Sequence, residues 1–237
     1  MKNKIQGLVL RVEAYKEKDA LIKVLTEEKI VTLYARGIYK NNAKNLRLAQ
    51  PFTYNEFLIE DKGKMPLLLQ GSTIKNYYHI QEDLEKSSIC FVIHDCLHFS
   101  NPEVFEALLE VWNSANNNLT GFYLWSCFLL RFIIDYEGIM PYVDGCVSCH
   151  NLKVETFSIH DGGFVCHECN HGQYAKWDIE QMRKIRTLFK CKIENLDYLF
   201  AHFHFNLDDF VFLAKWFEYH THKQLASLKF LTAIRNM

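Results

Sequence analysis

Through the first part of the chain, apolar and polar residues alternate with a period of two, the pattern of strands with one buried face. Residues 5–12 make a first strand with mixed alternation. Segments 20–26 and 30–35 follow, joined by the charged turn Glu27, Glu28, Lys29. A polar stretch rich in Lys and Asn covers 40–45. After Pro51, residues 52–59 alternate again, and Asp61, Lys62, Gly63 and Lys64 turn the chain into a strand over 67–74. Five strands with no long helix between them predict a small closed barrel, with an OB-fold as the leading form and an SH3-like barrel as its rival.

From Gln81 the period becomes helical, and Leu84, Ser88, Phe91, Cys96 and Phe99 lie near one face. Pro102 stands at the first position of a second helix behind the cap residue Asn101. Its stripe is Val104, Phe105, Leu108, Leu109 and Trp112, and Asn116, Asn117 and Asn118 end it. A third helix starts at Thr120, is apolar on most faces, and stops at Gly138 and Pro141. The apolar run 122–134 inside it, broken by Ser126 and Arg131, reads as too short and too polar for a membrane span. Asp178 caps a helix through Met182, Ile185, Leu188 and Phe189. Residues 207–222 make the last long helix, and 228–231 a short terminal turn. The chain reads as an α+β multidomain protein: a five-stranded barrel over 1–80, then an α-helical domain over 81–237 carrying a ribbon at about 142–175.

That ribbon is defined by Cys146, Cys149, Cys166 and Cys169, two C-x-x-C pairs separated by sixteen residues. Two such knuckles bring four thiolates to the corners of a tetrahedron, the arrangement a structural Zn²⁺ takes, and four thiolates leave no open position for a catalytic water. Residues 154–160 alternate like a strand, Asp161, Gly162 and Gly163 supply a turn, and Phe164 and Val165 run back into the second pair. The chain opens Met1, Lys2, Asn3, Lys4 with no apolar signal-type stretch, so a cytoplasmic, reducing setting is expected, which favours metal over disulfides. Cys90, Cys96, Cys127 and Cys191 fall in apolar helical patterns and read as small core residues. His150, His167 and His171 beside the knuckles read as residues around the site and not as ligands. His202, His204, His220 and His222 lack a carboxylate at a telling spacing.

Charge divides the chain. Its net charge of −1 comes from 27 Lys and Arg against 28 Asp and Glu, and residues 1–80 hold 14 of the basic and 8 of the acidic ones. The remainder holds 13 and 20, so a basic barrel is expected to meet an anion and an acidic body is not.

Several segments together resemble the RecO family of bacterial recombination mediators. Gly7-Leu8-Val9-Leu10-Arg11 with Tyr15, Glu17 and Asp19 is similar to its opening strand and loop, although Lys16 stands where glycine is usual. Ala35-Arg36-Gly37 and Gln50-Pro51-Phe52 fit its third and fourth strands. Leu130-Arg131-Phe132, Gly138-Ile139-Met140-Pro141 and the two cysteine pairs, the second behind Gly162-Gly163-Phe164-Val165, resemble its central signature. Residues 225–231 match its C-terminal turn. The resemblance implies an OB-fold, a helical domain and a zinc ribbon. It also implies binding of single- and double-stranded DNA, strand annealing, and work with a RecR-type partner on DNA coated by single-strand-binding protein. It places the protein in the cytoplasm at the nucleoid, away from membranes. The acidic helical half departs from a broad DNA path across that part.

On this reading Arg36, Lys40, Lys44 and Arg47, on or between the third and fourth strands, hold phosphates, and Lys2, Lys4, Arg11 and Lys23 extend the basic surface. Tyr34, Tyr39 and Tyr54 are candidate stacking platforms or core-facing strand residues. Arg131 is a candidate contact for the acidic, aromatic tail of the single-strand-binding protein, or else a buried tie within the fold. No enzyme signature stands against this. The glycine-rich phosphate loop ending in Gly-Lys-Ser/Thr is absent, and so are the proline and H-x-E parts of a zinc deaminase motif. Asp208 and Asp209 alone are too few carboxylates for a metal nuclease. An RNA-binding barrel and ribbon protein of the translation apparatus is the alternative of a different class.

Overall fold

A computed structural model describes residues 2–41, 43–61, 63, 65–117 and 119–235. Met1, Asn42 of the polar stretch, Lys62 and Lys64 of the predicted turn, and Asn118 of the predicted helix stop lie outside the described residues. The chain forms two compact units, one of Met1–Trp125 with Ala226–Met237 and one of Ser126–Leu225.

The first unit contains the barrel. Its strands are β1 (Lys2–Tyr15), β2 (Asp19–Leu25), β3 (Ile30–Ala35), β4 (Thr53–Glu60) and β5 (Leu67–Asn76). They close in the order β1-β2-β3-β5-β4, with β3 and β5 parallel and the other neighbours antiparallel. This is the five-stranded OB arrangement that the alternation predicts. β1 serves two neighbours, pairing with β4 through Lys2–Leu8 and with β2 through Leu8–Tyr15. A shift between Val9 and Arg11 leaves Leu10 as an extra residue, the kind of bulge that bends a strand round a barrel corner. Alternate residues point inward, so Val9, Ile22, Val24, Leu33, Phe57 and Leu68 meet in one core.

Helices α1 (Tyr78–Gln81), α2 (Leu84–Cys96), α3 (Pro102–Asn117) and α9 (Ala226–Arg235) share this unit with the barrel. Asn101 caps α3 as expected, its Oδ1 accepting from the Val104 amide at 2.8 Å. The side chain of Phe52, which has a left-handed backbone (φ 61°), packs against Phe91, His94 and Trp112 with ring centroids 5.0–5.7 Å away. His94 donates from Nδ1 to the carbonyl of Leu10, the bulge residue, at 2.9 Å. Residues 228–231, expected as a short turn, lie in the ten-residue helix α9, which buries Leu228 and Leu231 and packs against α2. An apolar pair three residues apart suits a turn or a helix until a packing partner selects one.

The second unit holds most of α4 (Leu119–Tyr136), the ribbon with β6 (Thr156–Ser158), β7 (Gly163–Val165) and α5 (His167–Asn170), then α6 (Ile179–Lys190), α7 (Leu196–His202) and α8 (Leu207–Thr221). α4 has 18 residues with a mean hydropathy of 1.2, so by length and composition it passes as a membrane span, contrary to the sequence expectation. Leu124, Cys127, Leu129, Leu130, Ile133 and Ile134 along it are fully buried, which accounts for its apolar character as a core helix. Asp178 caps α6 by accepting from the Gln181 amide at 2.7 Å, and Asn206 and Asp209 form a reciprocal capping box on α8.

Candidate functional site

Two groups of residues carry the candidate chemistry. In the ribbon, the Sγ atoms of Cys146, Cys149, Cys166 and Cys169 all lie within 4.8 Å of one another, and Cys149 and Cys166 are 3.6 Å apart. A tetrahedron with metal–sulfur bonds of about 2.3 Å has edges of about 3.8 Å, so the spacing and the soft donor set fit one four-coordinate ion.

Backbone geometry builds each knuckle. Cys146 donates its amide to the Asn151 carbonyl and its own carbonyl accepts from His150; the Cys166 carbonyl likewise accepts from the Asn170 amide. His150 (φ 61°) and His171 (φ 47°) take the left-handed turns that close the two knuckles. Burial resists ionisation at Cys146, but amides of Cys166, Cys149 and Ser148 outweigh it and bring the thiol down to about 6. Contacts with the Cys149, Cys166 and Cys146 thiols push Cys169 up to about 12. Four thiols this close ionise together only around a cation. Among the described residues no histidine joins the cluster, and no other group of three or more His, Cys, Asp or Glu could hold a metal.

The hairpin beneath the knuckles is shorter than its alternation predicts. Only Thr156–Ser158 pair with Gly163–Val165, and all six residues are buried. Gly163 sits against Tyr142 so closely that a Cβ would come within 2.2 Å of the Tyr142 carbonyl oxygen. Phe157 stacks on Trp177 and meets Phe164, Phe212 and Trp216, while His220 donates from Nε2 to Ile159. Glu155 accepts from buried Asn170 and pairs with Lys176 and His167; these bonds, led by Asn170, lower its pKa. His202 stacks on Tyr198 at 4.0 Å and bonds its carbonyl, and His220 bonds the Ile159 carbonyl, so these two late histidines serve packing and hydrogen bonding. Asp209 is engaged by its cap and by Lys184 at 2.7 Å.

The second group is the segment joining β3 to β4. Arg36, Lys40, Lys44 and Arg47 are exposed, and none is in an ion pair among the described residues. Asp19 shapes the start of the segment, accepting from the Gly37 amide at 2.7 Å and from the Tyr34 hydroxyl, which lower its pKa in the order Tyr34, Gly37. Gly37 is left-handed (φ 66°), and the Lys40 side chain lies across it. A small cavity of about 170 Å³ opens between Arg36, Gly37, Ala43, Lys44 and Asn45.

The other predicted cations are placed differently. Arg11 pairs with Asp95 at 2.7 Å, and half-buried Lys23 donates to the Leu97 carbonyl at 3.2 Å, with burial lowering its pKa. Both tie the barrel to α2 and the residue after it. Lys4 pairs with Glu56 at 3.0 Å on the surface, and Lys2 is exposed. The Tyr34 hydroxyl is engaged by Asp19 and that of Tyr54 by Gln6, whereas Tyr39 is 42% exposed. Arg131 has a side chain only 11% exposed, bonded to Asp135 and to the Phe189 carbonyl, and is an internal tie between α4 and the end of α6. The Phe189, Leu97 and Asp95 partners of Arg131, Lys23 and Arg11 lie 58 to 84 residues away, with no local signal to reveal them.

The sequence model of the recombination protein O N-terminal region matches residues 1–77. A DNA repair protein RecO of Bacillus pumilus (strain SAFR-032) is 30% identical over 179 residues, which are 70% of this chain and 68% of that protein. The DNA repair protein RecO of Halalkalibacterium halodurans is 28% identical over 198 residues, 80% of this chain and 78% of its own. That of Bacillus subtilis (strain 168) is 29% identical over 182 residues, 71% and 69% respectively. On the match of residues 1–77 and the 30% identity to the Bacillus pumilus protein over more than two thirds of each chain, the chain belongs to the RecO family of DNA repair proteins.

Proposed function

We propose that this protein is a recombination mediator that binds single- and double-stranded DNA and anneals complementary strands. With a RecR-type partner it helps load the recombinase onto DNA covered by single-strand-binding protein, in the cytoplasm at the nucleoid. DNA repair and recombination follow from the family; the grip on DNA is read from one observation on this chain. Arg36, Lys40, Lys44 and Arg47 form an exposed run of cations with no ion pair among the described residues, on a segment anchored at both ends by barrel strands. Flexible cations on a rigid platform gain affinity from counterion release, with little demand on sequence. Tyr39 beside them offers a face for a base. Arg11 and Lys23 contribute to the positive field around this grip from fixed positions, whereas Lys4 is taken up by Glu56.

The four cysteines would hold a structural Zn²⁺, which supplies a cross-link and no reactive position. The helical domain would receive the acidic tail of the single-strand-binding protein, with Arg131 bracing α4 from within.

The test of the grip is the triple substitution Lys40→Glu, Lys44→Glu and Arg47→Glu. Single-stranded DNA binding is expected to weaken, and the slope of log affinity against log salt to flatten by about 0.7 for each phosphate that is no longer neutralised. An unchanged slope removes this segment from the DNA site.

A further inference from the structure

A cavity of about 820 Å³ opens at one end of the barrel, away from any residue assigned above except Lys2, Lys4 and Tyr54. Ile5, Val31 and Ile59, which belong to the barrel core or pack on it, reach into it. Its origin lies in the strand pairing. β2 leaves β1 at the pair Leu8↔Leu25 and folds back through the turn at Thr26–Lys29, while β1 continues to Lys2 along β4. At the point of departure β2 crosses so near Gly7 that a Cβ there would lie 2.4 Å from Val24 and 2.6 Å from the Leu25 carbonyl oxygen. From residue 2 to residue 6, one edge of β1 is paired with β4, and the other has no strand partner among the described residues. In an antiparallel strand every second residue turns its N–H and C=O to each edge, so this stretch presents an unfilled hydrogen-bonding ladder to the cavity.

The chemistry of the edge selects its occupant. A ladder of amides and carbonyls is matched by another polypeptide strand and not by a nucleic acid. The rim agrees: Lys2, Lys4 and Lys29 face Glu27, Glu28 and Asp61, a balance of zero, and Lys4 is already paired with Glu56. A polyanion gains no net attraction there, unlike at the exposed cations between β3 and β4, which make no ion pair among the described residues.

We propose that this cavity is a docking site for an extended segment of a partner protein, which adds to β1 as a strand in the line that β2 vacates. Such a segment would be about five residues long, carry charges of both signs or none, and direct its alternate apolar side chains at Ile5, Val31 and Ile59. Lys2 and Lys4 on the edge guard it against indiscriminate pairing. The site is independent of the DNA grip, so either can stand without the other.

Hydrogen exchange on the whole protein tests this. One probe is a blocked seven-residue peptide alternating valine and threonine between a terminal lysine and glutamate. The second is the same peptide N-methylated at alternate positions, and the third is oligothymidylate. At about 1 mM the first peptide is expected to slow exchange within residues 2–6, and methylation to weaken this by about tenfold. Oligothymidylate is expected to leave these amides unchanged. No protection, equal protection by the methylated peptide, or protection by oligothymidylate would overturn the proposal. Protection that grows with protein concentration alone would also overturn it, since the edge would then serve a second copy of this chain.

Discussion

The barrel and the cysteine ribbon both rest mainly on antiparallel pairs, but their interiors differ in kind. Among the described residues, eleven buried hydrophobic side chains form the barrel core, Phe57 and Ile22 among them, whereas the buried knuckle core is Cys146, Val165 and Cys166. A buried aliphatic or aromatic side chain contributes about 1.5–3 kcal/mol, and each ordered residue costs about 1–2 kcal/mol of backbone entropy. The barrel can meet that cost with apolar burial. The knuckles, beyond the buried three-residue strands, fall short on burial and would be closed by chemistry at their sulfurs. Shape in one region comes from packing and, at the knuckles, would come from ligation.

The most direct challenge to this contrast is at a ligand. Cys146→Ser is expected to unfold the ribbon outright, and a chelator to do the same to the unaltered chain, since structural zinc contributes about 10–16 kcal/mol in small sites. Protease cuts confined to 142–175, with one metal ion per chain found before treatment and none after, would show it. A ribbon that resists both, or protein purified without metal, would erase the distinction. The reciprocal change is Phe57→Ala in the barrel, where Phe57 is fully buried. A loss of about 3–5 kcal/mol in denaturant melts is expected, and the ribbon's sensitivity to chelator should not move.

Acid offers a third separation. Burial holds His94 down to about 3, against 6.5 when exposed. Between these values the unfolded chain binds a proton that the folded barrel unit excludes. Stability therefore falls as pH drops from 6.5 towards 3, by up to about 1.4 kcal/mol per pH unit, and is unaffected by this group above that window. His94→Gln keeps a donor for the Leu10 carbonyl and should flatten the acid limb of the melting profile. The smallest effect is expected on the barrel surface. Lys4→Ala breaks a pair whose lysine side chain is 69% exposed, and should cost less than about 1 kcal/mol. A larger cost would mean that surface charge, and not packing alone, holds the barrel.

Legibility followed the same divide. Strands with one buried face carry their own period, so 30–35 was readable to the residue, and the Asn101 and Asp178 caps announced two helix starts. The cysteine spacing revealed the cluster because knuckle geometry is local. The ribbon strand read from 154–160 failed at its ends because a partner of three residues can pair only three. What remained hidden depended on distant partners. The Arg11–Asp95 pair makes a candidate DNA contact a brace as well, and the Arg131–Phe189 bond ties a candidate docking charge to the end of α6. Phe52 shows the same limit: its place at a strand start was readable, its left-handed backbone was not, because the aromatic nest around it comes from α2 and α3.

The packing of α9 against α2 has a consequence in time. α2 is made before α9, with the whole ribbon unit synthesised between them. On the ribosome, the barrel strands can pair as soon as they emerge, but one flank of α2 stays uncovered until the segment 226–235 leaves the exit tunnel. The amino-terminal unit is thus the first to begin folding and cannot finish before the ribbon unit has emerged. For that interval the bare flank of α2 is the surface on which a chaperone, or a wrong neighbour, has its opportunity.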